Sequence, residues 1–287
     1  YRRLTCASIS VRKGGGVGNK PSGKKLAGVE WASDLNEDTD ADGVAVGFRQ
    51  LGDESTIAQV HPKMLCETLW KAVTENSFME SKIVKEKVVD AVHDDNGNLI
   101  GVTLGDGTIV NGDILLWATG PWTTIIGNCI VGVKYHSVLI PTEKVLTQSV
   151  FYDGFGDPEV YPRPDGTAYC CGFPDAAVKV VEEPGKEEVR QEKVDEIVDA
   201  VRKCSGGKDG ALGKEPQLAQ SCYLPTTIDN VPIMGEIEGK NGCFVASGHS
   251  CWGVLNGPGT GEAMASLIMT GESKHLNLSS FNPNRFG

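Results

Sequence analysis

Positive charge is in short supply in this 287-residue chain: 27 Lys and Arg stand against 38 Asp and Glu, a net charge of −11. A surplus of that sign disfavours nonspecific binding to nucleic acid or to an anionic membrane surface. No apolar run reaches membrane-spanning length, and Tyr1-Arg2-Arg3-Leu4 does not open a signal peptide. The nine cysteines are odd in number and include no C-x-x-C pair. That spacing excludes an ordinary structural zinc site and predicts reduced thiols in a cytosol-like, cytoplasmic compartment. With 40% hydrophobic and 23% charged residues, the composition is that of a globular protein.

A chain of this size buries a large core, as one big domain or two intertwined ones. Residues 4–11 alternate as a strand. Residues 12–42 are rich in glycine and lysine and then in acid, and read as a long surface loop. Within it, Gly18-Asn19-Lys20-Pro21-Ser22-Gly23-Lys24-Lys25 narrowly misses a phosphate-binding loop. Lys25 stands where a hydroxyl is needed for Mg²⁺, and Pro21 removes a cradling N–H.

His61-Pro62 opens an amphipathic helix with Met64, Leu65, Leu69, Ala72 and Val73 on one face. A strand over residues 83–92 then turns at Asp94-Asp95-Asn96-Gly97 into short strands over 99–104 and 108–110. The run Ile114-Leu115-Leu116-Trp117-Ala118 reads as a strand buried on both faces, as in a parallel α/β sheet. Residues 133–151 and 159–172 suggest antiparallel strands of a second lobe, and 187–203 a charged helix. Strands over 218–224 and 243–247 flank the turn Asp229-Asn230-Val231-Pro232. The fold class is mixed α/β.

The richest segment is Gly248-His249-Ser250-Cys251-Trp252-Gly253-Val254-Leu255-Asn256-Gly257-Pro258-Gly259-Thr260-Gly261. A strand feeds a glycine-rich loop, and an apolar helix pattern follows, with Asn256 or Gly257 as N-cap and Pro258 at the first helical position. Free N–H groups beside a loop without bulk suit a group that carries or develops negative charge. A phosphate is one such group; the N1/C2=O edge of a reduced flavin is another.

The order of these elements, with VNGDILLWATGPW, DNVPIMGE and GCFVASGHSCWGVLNGPGTGEAMA, resembles one family over residues 60–271. It is the FAD-dependent oxidoreductases of the D-amino-acid oxidase, glycine oxidase and sarcosine oxidase superfamily, and the likeness is greatest to its less characterised eukaryotic branch. The resemblance implies an α/β FAD-binding lobe, residues 57–122 and 226–287, interrupted by an antiparallel β substrate lobe, residues 1–56 and 123–225. It implies FAD as cofactor and a small-molecule amine or hydroxy substrate that gives hydride to the flavin N5, with O₂ as reoxidant.

By the same resemblance, Ala118, Thr119, Gly120 and Trp122 lie where a strand ends at the FAD, and Val88 passes near the adenine. Gly248, His249, Trp252, Gly253, Val254, Leu255 and Asn256 lie along the isoalloxazine. The last helix points its N-terminus at the flavin C2=O, favouring the anionic reduced form. His249 is the candidate catalytic donor or base; its plainer role is to hydrogen-bond the loop. Trp252 either shields the flavin or is a packed aromatic anchor.

Two departures accompany the likeness. The family's N-terminal strand–GxGxxG–helix unit has no counterpart, because Gly14-Gly15-Gly16-Val17-Gly18 lacks the third glycine and the flanking elements. The chain's start matches the family's middle. The expectation is therefore a chain lacking its amino-terminal dinucleotide unit, binding FAD poorly or not at all by itself. Second, Leu224 of Cys222-Tyr223-Leu224-Pro225 stands where amino-acid oxidases place an arginine for the substrate carboxylate. That argues against a standard amino-acid substrate, and Arg163 is the alternative cation. His136, on a second-lobe strand, faces either a pocket or solvent. Ser250 misses the G-x-S-x-G nucleophile spacing by one residue. The rival readings are a non-catalytic FAD-fold interaction or trafficking protein and a P-loop-type nucleotide binder.

Overall fold

A computed structural model describes residues 1–13, 29–32, 43–76 and 80–286. In chain order, β1 (Arg2–Arg3), β2 (Thr5–Lys13), β3 (Gly43–Gly52) and β4 (Ala58–Gln59) precede α1 (Pro62–Asn76). Next come β5 (Val88–His93), β6 (Leu99–Leu104), β7 (Ile109–Asn111) and β8 (Leu115–Trp117). The middle holds β9 (Ile130–Pro141), β10 (Gln148–Asp153), β11 (Glu159–Pro162), β12 (Thr167–Gly172), β13 (Ala177–Val178) and α2 (Gln191–Cys204). β14 (Leu218–Thr227), β15 (Ile233–Glu236), β16 (Cys243–Ser247) and α3 (Gly253–Thr270) complete it. Two compact units form. One is Tyr1–Met64, Lys134–Asp175 and Pro184–Cys222; the other is Leu65–Val133, Ala176–Glu183 and Tyr223–Gly287.

The first unit is built on a sheet with strand order β9-β12-β11-β10-β2-β3, antiparallel except where β10 runs parallel to β2. Period-2 alternation turns Ile9, Val138, Ile140, Val150 and Val160 to one face, where they are fully buried. Val194, Ile197, Val198 and Val201 of α2, at i, i+3, i+4 and i+7, share that core. Each such side chain contributes about 1.5–3 kcal/mol on burial.

α2 starts at Gln191, later than residue 187, because Arg190 is extended and its contacts lie elsewhere. Its N–H goes to His136 Nε2 at 3.2 Å and its guanidinium pairs with Asp175. Of the surface loop expected over residues 12–42, residues 14–28 and 33–42 lie outside the described residues, and the rest is corrected. β2 runs on to Lys13, and Val29, Trp31 and Ala32 are buried in this core, with the Trp31 indole N–H on Gln148 O at 3.0 Å. The near-miss phosphate loop, residues 18–25, lies outside the described residues.

The second unit contains the sheets β15-β16-β8 and β5-β6-β7. β8 and β16 are parallel, in register at Cys243↔Leu115 and Val245↔Trp117. Leu115 and Trp117 pack with Ile233, Cys243 and Val245, whereas Ile114 and Leu116 are 53% and 39% exposed. β8 is thus an edge strand with one buried side, not a strand buried on both. α1 forms as its periodicity requires, yet Leu69 and Val73 on its apolar face are 55% and 49% exposed. β5 begins at Val88, five residues after the expected start, and the short β15 follows directly on the Asp229–Pro232 turn. Met264 of α3 packs on Met234 and Phe244.

Candidate functional site

Because β8 and β16 run parallel, their C-terminal ends emerge side by side, the position at which open α/β sheets bind ligands. Hydroxyls tie the two ends, those of Thr123 and Ser247 buried. Ser247 Oγ donates to Gly120 O at 3.0 Å and receives the Thr123 hydroxyl at 3.2 Å, while the Thr119 and Thr123 oxygens lie 3.0 Å apart. Beyond β8, Ala118 and Thr119 lead to a 3₁₀ turn, Gly120–Trp122, entered with Gly120 at φ 55°. Beyond β16, Gly248 has φ 81°, and a Cβ there would sit 2.6 Å from the Thr227 methyl. Only glycine fits that position.

From Gly248 the chain passes His249, which bridges to Thr226, and a 3₁₀ turn, Ser250–Trp252. The Thr226 and Ser250 hydroxyls are 3.2 Å apart. α3 then begins at Gly253, so Gly253, Val254, Leu255 and Asn256 are helical rather than loop. This corrects the expected N-cap at Asn256 or Gly257. The 3₁₀ turn, closed by Trp252 N–H on His249 O at 2.9 Å, carries the helix upstream, and Pro258 falls inside it, where it cannot donate to Val254 O. No side chain caps the helix start at Trp252. At Gly257, Gly259 and Gly261 an added Cβ would meet nothing within 4 Å.

The His249 Nε2 lies 2.9 Å from Thr260 Oγ1 of α3, and burial pushes the imidazole pKa down, favouring the neutral ring. Trp252 is 59% exposed, which overturns its reading as a packed anchor. Trp122 spends its indole N–H on Val181 O at 2.7 Å and stands edge-on to Tyr223. Val88 opens β5 and pairs with Leu104 in the other sheet of the unit, outside the hydroxyl-linked strand ends.

In the first unit, His136 is fully buried on the core face, directed at neither pocket nor solvent. Burial, then the charges of Lys134 and Arg190, push its pKa down. The guanidinium of Arg163 sits 5.3 Å from the Tyr169 ring centre. Sequence reasoning missed Thr123, Ser247, Thr226 and Thr227. Their one signal is a hydroxyl residue beside each glycine-marked strand end.

Among the described residues no group of three or more His, Cys, Asp or Glu is placed to hold a metal, and no helix is long and apolar enough to cross a membrane. The chain matches the DAO family, described as FAD dependent oxidoreductase, over residues 37–267. TDA3 of Saccharomyces cerevisiae, named as a candidate oxidoreductase, is 32% identical over 280 residues, 82% of this chain and 52% of that protein. A relative from Schizosaccharomyces pombe, named likewise, is 26% identical over 89% of this chain and 69% of its own length.

Among solved structures, glycine oxidase from Geobacillus kaustophilus shares the fold with a TM-score of 0.73 at 18% identity, over 99% of this chain and 75% of that one. L-proline dehydrogenase from P. horikoshii does so at 0.62 and 22%, over 77% of this chain and 59% of that one. The chain spans about half the length of its Saccharomyces relative, 52%. A match over most of the chain, the two fungal relatives and the shared fold lead to one conclusion: the chain belongs to the DAO family of FAD-dependent oxidoreductases.

Proposed function

We propose that the strand-end cluster of the second unit holds FAD, in a protein that oxidises a small amine or hydroxy substrate in a cytoplasmic compartment. The observation that carries this reading is the meeting of two parallel strand ends with the uncapped start of α3. The group fits the residues present. At Gly257, Gly259 and Gly261 an added Cβ would meet nothing within 4 Å, which leaves room along the start of α3. In this reading the N–H groups of Gly253, Val254 and Leu255 face negative charge, and Gly120 and Gly248 allow close backbone approach. Ala118, Thr119, Trp122, Trp252, Asn256 and Val88 complete the proposed contacts.

FAD, when bound, supplies an acceptor for the hydride leaving the substrate carbon. His249, neutral because it is desolvated, takes the proton from the substrate nitrogen or oxygen, with Thr260 orienting the ring. Residues 57–122 and 226–287 serve the cofactor, and residues 1–56 and 123–225 serve the substrate. The nine cysteines, odd in number and without a C-x-x-C pair, favour a reducing compartment.

The exposed apolar residues of α1 and β8 favour a second reading, a FAD-fold interaction protein without turnover. The test is an absorption spectrum of the purified protein with FAD, followed by anaerobic addition of small amines and alcohols. Flavin bands that bleach with one of them support the oxidoreductase. Bands that form and never bleach, or no uptake even when an amino-terminal strand–GxGxxG–helix unit is supplied, contradict the oxidoreductase and support the second reading.

A further inference from the structure

In the sheet β15-β16-β8 of the second unit, β15 flanks β16 on the side away from β8. Alternation along β15 sends Ile233 and Ile237 into one core and turns Met234 to the other face, against Phe244 and Met264. Beside Met234 the chain leaves a cleft of about 520 Å³, floored by Met234, Leu267 of α3, Leu278 and Pro283. That volume is in the range of small-ligand sites. Glu236 and Glu238, two and four residues on from Met234, line it as well. β15 and β16 are antiparallel, with Glu236 opposite Phe244 and Ile233 opposite Ser247, so these carboxylates lie by the start of β16. The strand-end cluster proposed for FAD lies beyond the other end of β16.

The walls of the cleft are tied together. Asn284, in the tail after α3, donates from Nδ2 to Glu236 O at 3.3 Å and accepts the Glu238 N–H at 3.0 Å. Its own N–H goes to Asn282 Oδ1 at 2.8 Å. What the cleft lacks is a cation. Among the described residues that line it, Glu236 and Glu238 are the ionisable ones, and no Lys, Arg or His stands with them. Neither carboxylate has an ion pair or accepts a hydrogen bond among the described residues. The Arg285 guanidinium is taken up by Asp229 at 2.8 Å and by Val231 O at 2.6 Å, and Lys240 of the adjoining turn stands outside the lining. Two carboxylates over an apolar floor repel phosphates and carboxylates and attract an organic cation. They are two residues apart, at most about 7 Å along the backbone, so a short ligand with a charge at each end can meet both.

We propose that this cleft binds a short aliphatic diammonium ion. Glu236 and Glu238 each receive one ammonium group, and Met234, Leu267 and Leu278 receive the methylene stem between them. The site is separate from the cofactor cluster and does not depend on FAD binding there.

Titration of the purified protein, labelled at its methionine methyl groups, with 1,4-diaminobutane tests it by magnetic resonance. A saturable shift of the Met234 methyl signal is expected, with that of Met64 on α1 left in place, and added salt weakens the binding. Glu236→Gln and Glu238→Gln, both at exposed carboxylates that hold no partner, each weaken it about threefold, and together about tenfold. The uncharged match, 1,4-butanediol, gives no saturable shift. No saturable shift at Met234, equal affinity for the diol, or unchanged affinity in the double variant would overturn the proposal. Tighter binding of a lysine-rich peptide than of the diamine would overturn its restriction to small ligands. Added FAD leaves the titration unchanged, and competition between the two would overturn the separation of the sites.

Discussion

In the first unit α2 lays Val194, Ile197 and Val201 against Ile9, Val138, Ile140 and Val150, and the apolar faces of helix and sheet cover each other. In the second unit the same kinds of residue lie open, with Leu69, Val73, Ile114 and Leu116 all more than a third exposed. Its buried polar order lies at the strand ends, in the hydroxyls of Thr123 and Ser247, with the exposed Thr119 beside them. Stabilisation by burial is therefore strongest in the first unit, while the second carries the surfaces able to receive something else.

Cutting into the closed core should have the largest effect. Ile197→Ala is expected to lower unfolding free energy by about 2–5 kcal/mol in denaturant titration. A loss below about 1 kcal/mol would mean that the first unit's core is not the main source of stability.

Next in size is Gly248→Ala. The φ of 81° and the Thr227 methyl at 2.6 Å leave a Cβ no relaxed position. A loss of about 1–3 kcal/mol follows, and Thr227→Ser should restore part of it by removing the methyl.

A smaller effect is the response to acid. His136 and His249 are both held below the ordinary histidine pKa, chiefly by burial, so protons bind the unfolded chain more readily than the folded one. Their contribution to stability is complete above about pH 6.5 and declines as pH falls from there toward the folded-state values. Melting temperatures of the wild type and of His136→Gln, measured across that range, should converge on acidification.

Smallest is Leu69→Ala on α1, expected to change stability by no more than about 0.5 kcal/mol. A cost near that of Ile197→Ala would show that the α1 face is covered after all, and would erase the contrast between the units.

Much of this was legible in the amino-acid order, and what was not has physical causes. The 3.6-residue period and the His61-Pro62 entry located α1. Periodicity identifies an apolar face but not whether anything packs on it, so the exposure of Leu69 and Val73 was not foreseeable. The β8 run was readable as a strand of a parallel pair. Its edge position, which exposes Ile114 and Leu116, depends on strand order. Pro258 drew the expected start of α3 too far along the chain, because proline favours a first turn and nothing local announced the 3₁₀ turn at Ser250–Trp252. The bond from Thr123 to Ser247 joins residues 124 positions apart, a contact that only the paired strands create.

The most direct measurement is FAD uptake, followed by flavin absorption, for the chain supplied with an amino-terminal strand–GxGxxG–helix unit, as wild type and as Gly257→Leu. At Gly257 an added Cβ meets no atom within 4 Å outside the helix's own backbone. If FAD lies against the start of α3, the wild type acquires flavin bands, and the variant keeps its melting temperature within about 1 °C but takes up little or no flavin. Equal uptake by both proteins would contradict the placement of the cofactor, and no uptake by the wild type would contradict a FAD site at these strand ends.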